Sequence, residues 1–271
     1  MTRNDHQLKN ILVFVRGAGE MATGVAHTLW QAHFRVWMTE ITSPLAVRRE
    51  VSFCEAVYEG EKQVEGVLAK HIQTPDELHR TWNEGMIPLL IDPQAESRKI
   101  VNPHVLVDAI IAKKNLGTRI TDAPLVIGLG PGFTAGKDVH VVVETQRGHD
   151  LGRLIFDGGA EPNTGIPGEI SGFSEQRVLR TPTEGVFRVQ KRIGDQVKKG
   201  EVVATVGNLP VKARIGGVLR GLLRDGTYVR ERMKSGDIDP RGQKANCYSI
   251  SDKARTIAGG VLKAILIRFN V

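Results

Sequence analysis

Residues 11–40 constrain this chain more than any other stretch, because they carry in order the signals of a strand, a glycine turn, a helix and a second strand. The apolar run Ile11 to Val15 has the composition of a strand buried on both faces. Gly17, Gly19 and Ala22 follow at the G-x-G-x-x-G/A spacing. In such a turn the missing side chains let backbone amides approach a pyrophosphate, and the amino end of a helix adds partial positive charge. Val25, Ala26, Leu29 and Trp30 then make an apolar stripe at helical spacing, residues 35–39 read as the second strand, and Glu40 ends it. A carboxylate about 20 residues beyond the glycines can accept both ribose hydroxyls of a nucleotide and repels a 2′-phosphate. The competing reading is a turn that needs its glycines for shape alone.

At 271 residues the chain has room for two domains on a prior of roughly 150 residues each. The expected fold class is α/β: a Rossmann-like parallel sheet over residues 1–173, an all-β domain over 174–248, and a closing helix over 249–271. No apolar run approaches the ~18 residues of a membrane span, and the polar start MTRNDHQLKN has no apolar h-region, so a cytoplasmic protein off the membrane is expected. Cys54 and Cys247 lie far apart without metal-ligand spacing, which argues against a disulfide framework and a structural zinc site. Cys54, beside Phe53, reads as a small buried hydrophobe.

The net charge of +7 belongs to one region, since residues 175–250 hold 16 Lys and Arg against 8 Asp and Glu. Only Phe187, Tyr228 and Tyr248 interleave it, too few for base stacking, so an acidic protein surface or a phosphorylated small molecule is favoured over nucleic acid.

After Pro44, residues 46–58 can form a helix in which Arg48 and Arg49 meet a phosphate or simply face solvent, and residues 63–70 read as an edge strand. Thr74-Pro75-Asp76-Glu77 opens another helix, and MIPLLIDP is a buried strand with Asp92 at its carboxyl end, where open α/β sheets bind ligands. Asn102-Pro103 should start a helix with Asp108 in its apolar middle, facing a cleft or a partner. Residues 124–145 form a second glycine stretch: a strand runs into Gly128, Gly130 and Gly132, a loop able to offer amides to an anion. Alternation over 138–145 then puts Asp138, His140 and Glu144 on one face, either a site or a satisfied structural pair. Asp108, His140 and Glu144 are the catalytic candidates. Gly17, Gly19, Ala22, Glu40, Arg48, Gly128, Gly130 and Gly132 are the cofactor-binding candidates, and no metal ligands are expected.

Residues 146–173 are rich in Gly and Pro and read as a long crossing loop. Beyond them GVFRVQKRIGDQV (185–197) aligns with GVLRGLLRDGTYV (217–229) at a spacing of 32. This layout of two interlocking β units resembles the biotinyl/lipoyl barrel-sandwich domain, although the intervening Val206-Gly207-Asn208-Leu209-Pro210 has no Lys to carry a prosthetic group.

Taken together, RGAGEMATGVA, MTEITSPLAVRREVSFCEAVYEG, LVIGLGPGFTAGKDVHVVVETQRGHDLGR, PNTGIPGEISGF, GDIDPRG and ISDKARTIAGGVL resemble the YqeB-type family, accessory proteins associated with selenium-dependent molybdenum hydroxylases. The resemblance spans nearly the whole chain. It implies a maturation factor acting on the molybdenum cofactor before or during its insertion into a xanthine-dehydrogenase-like client, with a molybdopterin-type ligand or nucleotide on the glycine loops. An NAD-dependent oxidoreductase and a non-catalytic scaffold are the other readings, the former lacking an evident catalytic Tyr-Lys or His-Asp pair. The apolar closing helix would also suit a homodimer.

Overall fold

The structure is a computed structural model that describes residues 10–270; the polar start of the chain, residues 1–9, lies outside them. It divides into two units: Met1–Pro44, Phe53–Asn163 and Ile250–Val271 form the first, and Leu45–Ser52 with Thr164–Ser249 form the second.

The first unit is built on nine strands: β1 (Leu12–Arg16), β2 (Arg35–Glu40), β3 (Glu61–Val64), β4 (Val67–Ile72), β5 (Ile87–Ile91), β6 (Val105–Asp108), β7 (Leu125–Leu129), β8 (Val141–Val143) and β9 (Leu154–Ile155). Their order is β3-β4-β5-β2-β1-β6-β7-β8-β9, with seven parallel strands in the middle and antiparallel β3 and β9 at the edges. Val13 lies level with Val36 on one side and Val105 on the other, and Phe14 stacks on its neighbour Trp37 at 5.0 Å between ring centroids. Side chains buried on both faces explain why the central strands read as continuous apolar runs.

The helices are α1 (Glu20–Gln31), α2 (Ala56–Glu59), α3 (Leu78–Asn83), α4 (Ser97–Val101) and α5 (Asp252–Phe269). Between β6 and β7, and between β7 and β8, the described chain runs through turns and loops without an α-helix. Instead α5 packs on α1, so closely that a Cβ on Gly24 would stand 2.9 Å from that of Ala254. The expected Rossmann-like parallel sheet is thus corrected to a large mixed sheet with antiparallel edge strands and two crossovers, β6 to β7 and β7 to β8, that carry no α-helix. The glycines, prolines and charges of residues 109–124 and 128–138 cannot sustain the helices that such an arrangement needs.

Two local expectations also change. Residues 102–115 do not form a helix: Asn102 turns left-handed at φ 51°, and Val105–Asp108 becomes central strand β6, where β-branched residues pack between β1 and β7. Residues 46–58 break into short 3-10 turns and α2, and the edge strand becomes a hairpin of β3 and β4 turning at Glu65-Gly66, both with positive φ.

The second unit has strands β10 (Val178–Arg180), β11 (Gly185–Val189), β12 (Gln196–Val197), β13 (Val202–Val206), β14 (Leu209–Lys212), β15 (Gly217–Leu222), β16 (Tyr228–Val229) and β17 (Lys234–Asp239). They form two four-stranded antiparallel sheets, β10-β17-β15-β12 and β14-β13-β11-β16, around Phe187, Val203, Val206, Leu219 and Leu222. The sequence echo appears as an exchange, β11 of the first copy pairing with β16 of the second and β12 with β15. The biotinyl/lipoyl expectation is nevertheless corrected to two open sheets, because β10 and β17, which lie outside the echo, complete one of them. Residues 45–52 join this unit through the Val47 carbonyl, which accepts from Leu222 N–H at 2.8 Å. Its interior also holds ionic groups: Asp237 is buried between Arg177 and Arg220.

Candidate functional site

In the first unit the turn from β1 to α1 lies where the sequence puts it, at the carboxyl end of a central strand. Gly17 has φ +99°, and a Cβ there would meet Ile110 N at 3.2 Å, so the position requires glycine twice over. Its N–H donates to the Thr39 carbonyl at 2.9 Å. The Ala18 carbonyl accepts from Cys54 N–H at 2.9 Å and from the Thr23 hydroxyl at 3.1 Å, fixing the turn from below. Gly19 is the N-cap of α1; among the described residues no side chain caps the helix, and a Cβ on Gly19 would have nothing within 4 Å. Ala22 is fully buried, its single methyl letting the helix lie close to the sheet.

Glu40 closes on this turn from the end of β2. One carboxylate oxygen accepts from Ala18 N–H at 2.9 Å and the other from Ile41 N–H at 2.8 Å, leaving a lone pair on each. Burial pushes its carboxyl above the ordinary value of 4.5, and the Ile41 and Ala18 amides pull it partway back. The arrangement can therefore take an anion at the open helix end and hydroxyl donors at Glu40.

The other candidates are engaged elsewhere. Asp108 is buried at the end of β6 with Arg16 Nη1 at 3.3 Å and the Thr118 hydroxyl donating at 2.6 Å, so it has a partner rather than a cleft. Burial raises its pKa, while Thr118 and Arg16 favour the charge. Sequence reading missed Arg16 and Thr118; the one available signal was an arginine ending an apolar strand.

The second glycine loop is filled by the chain itself. A Cβ on Gly128 would lie 2.6 Å from the Phe133 ring, one on Gly130 would run into the Thr145 hydroxyl, and one on Gly132 would lie 2.5 Å from Lys114 N. These glycines permit close packing, with no open cradle beside them. The expected strand over 138–145 shrinks to β8, all three residues of which are buried. His140 Nδ1 accepts from Val126 N–H at 3.0 Å, and burial, then the Arg268 charge, lowers its pKa. Glu144 accepts from Thr145 and Gln146 N–H, both at 2.7 Å, and from Glu161 N–H at 2.8 Å. Each is thus tied to backbone.

Arg48 falls in the second unit, where its buried guanidinium donates to the carbonyls of Asn246 at 2.8 Å and Ser249 at 3.0 Å. It braces a loop there. Asp92 caps a turn by accepting from Glu96 and Ser97 N–H. Cys54 is buried, and burial followed by the Glu40 charge holds its thiol neutral well above the usual range.

Nearly the whole chain aligns with a curated protein. The uncharacterized protein YqeB of Escherichia coli (strain K12) is 47% identical to it over 267 residues, 98% of this chain, and the chain spans about half (49%) of that relative's length. No known protein-family profile matches. Among solved structures, the alignment includes an aspartoacylase family protein from Mesorhizobium loti, at 11% identity over 84% of each chain with a TM-score of 0.26. It also includes a succinylglutamate desuccinylase from Silicibacter sp. TM1040, at 12% identity over 84% of each chain with a TM-score of 0.25. Likeness at that level carries no functional argument. Among the described residues, no helix is long and apolar enough to cross a membrane.

Proposed function

We propose that this chain is an accessory protein in the maturation or insertion of the molybdenum cofactor of a xanthine-dehydrogenase-like hydroxylase, in its selenium-dependent form. In this reading it holds the phosphates of a nucleotide or molybdopterin-type ligand at the β1–α1 turn, in the cytoplasm, and its basic second unit docks the client enzyme. The molybdenum part is supported by the sequence resemblance. The binding part is supported by one observation above all: the uncapped amino end of α1 opens above Gly19 beside a Glu40 carboxylate with acceptor capacity to spare. The second glycine loop and Arg48 are left out of the site, because packing and carbonyl partners account for them.

A second reading, an oxidoreductase using NAD, draws on the same Glu40, whose position suits the two hydroxyls of an unphosphorylated ribose. Calorimetric titration of the purified protein with NAD and with molybdopterin nucleotides separates the two. Gly19→Asp puts a negative side chain into the open space and should abolish binding; unchanged affinity would remove the turn as the site.

A further inference from the structure

At the opposite end of the central strands from the glycine turn, the first unit holds a cavity of about 860 Å³, within the range of small-molecule sites. Buried Phe34 and Trp82 form its floor, and half-buried Trp30, from the last turn of α1, stands beside them. Trp82 is fixed by its indole N–H, which donates to the Val36 carbonyl at 2.7 Å, and the Arg35 guanidinium lies 5.9 Å from its ring centroid. Around this aromatic floor stand Asn10, Gln31 and Asn83, whose side-chain amides have no hydrogen-bond partner among the described residues.

We infer that this cavity is a second binding site, independent of the glycine turn, for a neutral, flat nitrogen heterocycle of the nucleobase type. Trp30, the one ring of the three that is not buried, offers a surface on which such a ring stacks whatever its identity, with Phe34 and Trp82 packed beneath. Each side-chain amide offers both donor and acceptor, matching the mixed edge of a heterocycle better than a hydrocarbon or a carboxylate would. Charge gives an anion little purchase: the carboxyl end of α1 points here, so the helix dipole sets partial negative charge against Arg35, with His33 the other titratable group in the lining.

The chain's three tryptophans supply the readout, since Trp30 and Trp82 line the cavity while Trp37 is buried against Phe14. Adenosine and guanosine, titrated into the full chain, should quench its tryptophan emission saturably, and the corresponding monophosphates should bind more weakly. Gln31→Ala and Asn83→Ala, both at exposed positions that folding tolerates, should each weaken the nucleoside about threefold to tenfold, the loss expected for one net hydrogen bond. Trp30→Ala should abolish the saturable quench while phosphate-dependent binding at the glycine turn persists; Gly19→Asp should do the reverse. Linear quenching by both nucleosides, tighter binding of the monophosphates, or a saturable quench unaffected by Gln31→Ala, Asn83→Ala and Trp30→Ala would each overturn the proposal.

Discussion

Gly24 in α1 and Gly259 in α5 allow one chemical change to be made in two environments. A Cβ at Gly24 would lie 2.9 Å from Ala254 Cβ and 3.1 Å from its carbonyl oxygen, whereas one at Gly259 would have nothing within 4 Å. Carbon atoms rest at roughly 3.5–4.0 Å, so Gly24→Ala must force the helices apart by several tenths of an ångström. Overpacking of this kind costs about 1–3 kcal/mol, against about 0.8–1.0 kcal/mol gained when alanine replaces glycine inside a helix. Gly259→Ala should therefore stabilise by nearly that full gain, while Gly24→Ala should be neutral to destabilising by about 2 kcal/mol. The difference between the two isolates the packing term. Urea unfolding followed by tryptophan emission measures it, because all three tryptophans lie in the first unit. Coincident midpoints for the two variants, or a higher midpoint for Gly24→Ala, would refute the close approach of α1 and α5. Gly260→Ala extends the series: its Cβ would meet the Gly152 carbonyl oxygen at 2.6 Å, an atom unable to rotate away, and the loss should exceed that at Gly24.

The carboxylates give three further outcomes. Asp108→Ala leaves the Arg16 guanidinium buried without its counter-charge and should destabilise the first unit by about 3–5 kcal/mol in the same assay, and a loss under 1 kcal/mol would contradict the buried pair. Glu40 titrates above 4.5 in the folded chain, so the folded state binds its proton more tightly than the unfolded state does. Its ionised form costs stability at neutral pH, and that cost disappears as pH falls through the folded pKa toward 4.5. The stability of Glu40→Gln relative to the parent chain should accordingly decline as pH is lowered across that window, and a constant difference would show that Glu40 is not desolvated. Ligand affinity at the turn should weaken over the same window, because a protonated Glu40 loses acceptor capacity for ribose.

What sequence could show depended on how local the physics was. The β1–α1–β2 unit was legible because its glycines, stripe and acid act within thirty residues, and Glu40 does reach the Ala18 amide. β6 was misread because Asn102-Pro103 followed by VLVDAIIAK satisfies helical start signals, and only the pairing of Val105 and Val107 with β1 and β7 makes it a strand. The second glycine loop misled for a related reason. Glycine permits a ligand's approach and a side chain's approach equally, and Phe133, Thr145 and Lys114 take the space here. Arg48 follows Glu40 closely enough in sequence to be read as meeting a phosphate or facing solvent, but the chain leaves the first unit at Pro44 and re-enters at Phe53. In the Arg16–Asp108–Thr118 cluster the need of Asp108 for a partner was legible but the partners were not, since the pairing of β1 with β6 and the loop before β7 bring them together.

The packing of α1 against α5 bears on when the first unit can be completed during synthesis. α1 ends at Gln31, yet the helix that covers it begins at Asp252. At about 5–20 residues per second, the apolar face of α1 waits roughly 10–45 s for its cover. The second unit has every segment it needs once Ser249 is made, so it can fold while the chain is still growing, whereas the first unit cannot be finished until α5 has been made. Loss of α5 should thus yield a chain that settles its β unit and leaves the glycine-turn unit in the hands of chaperones.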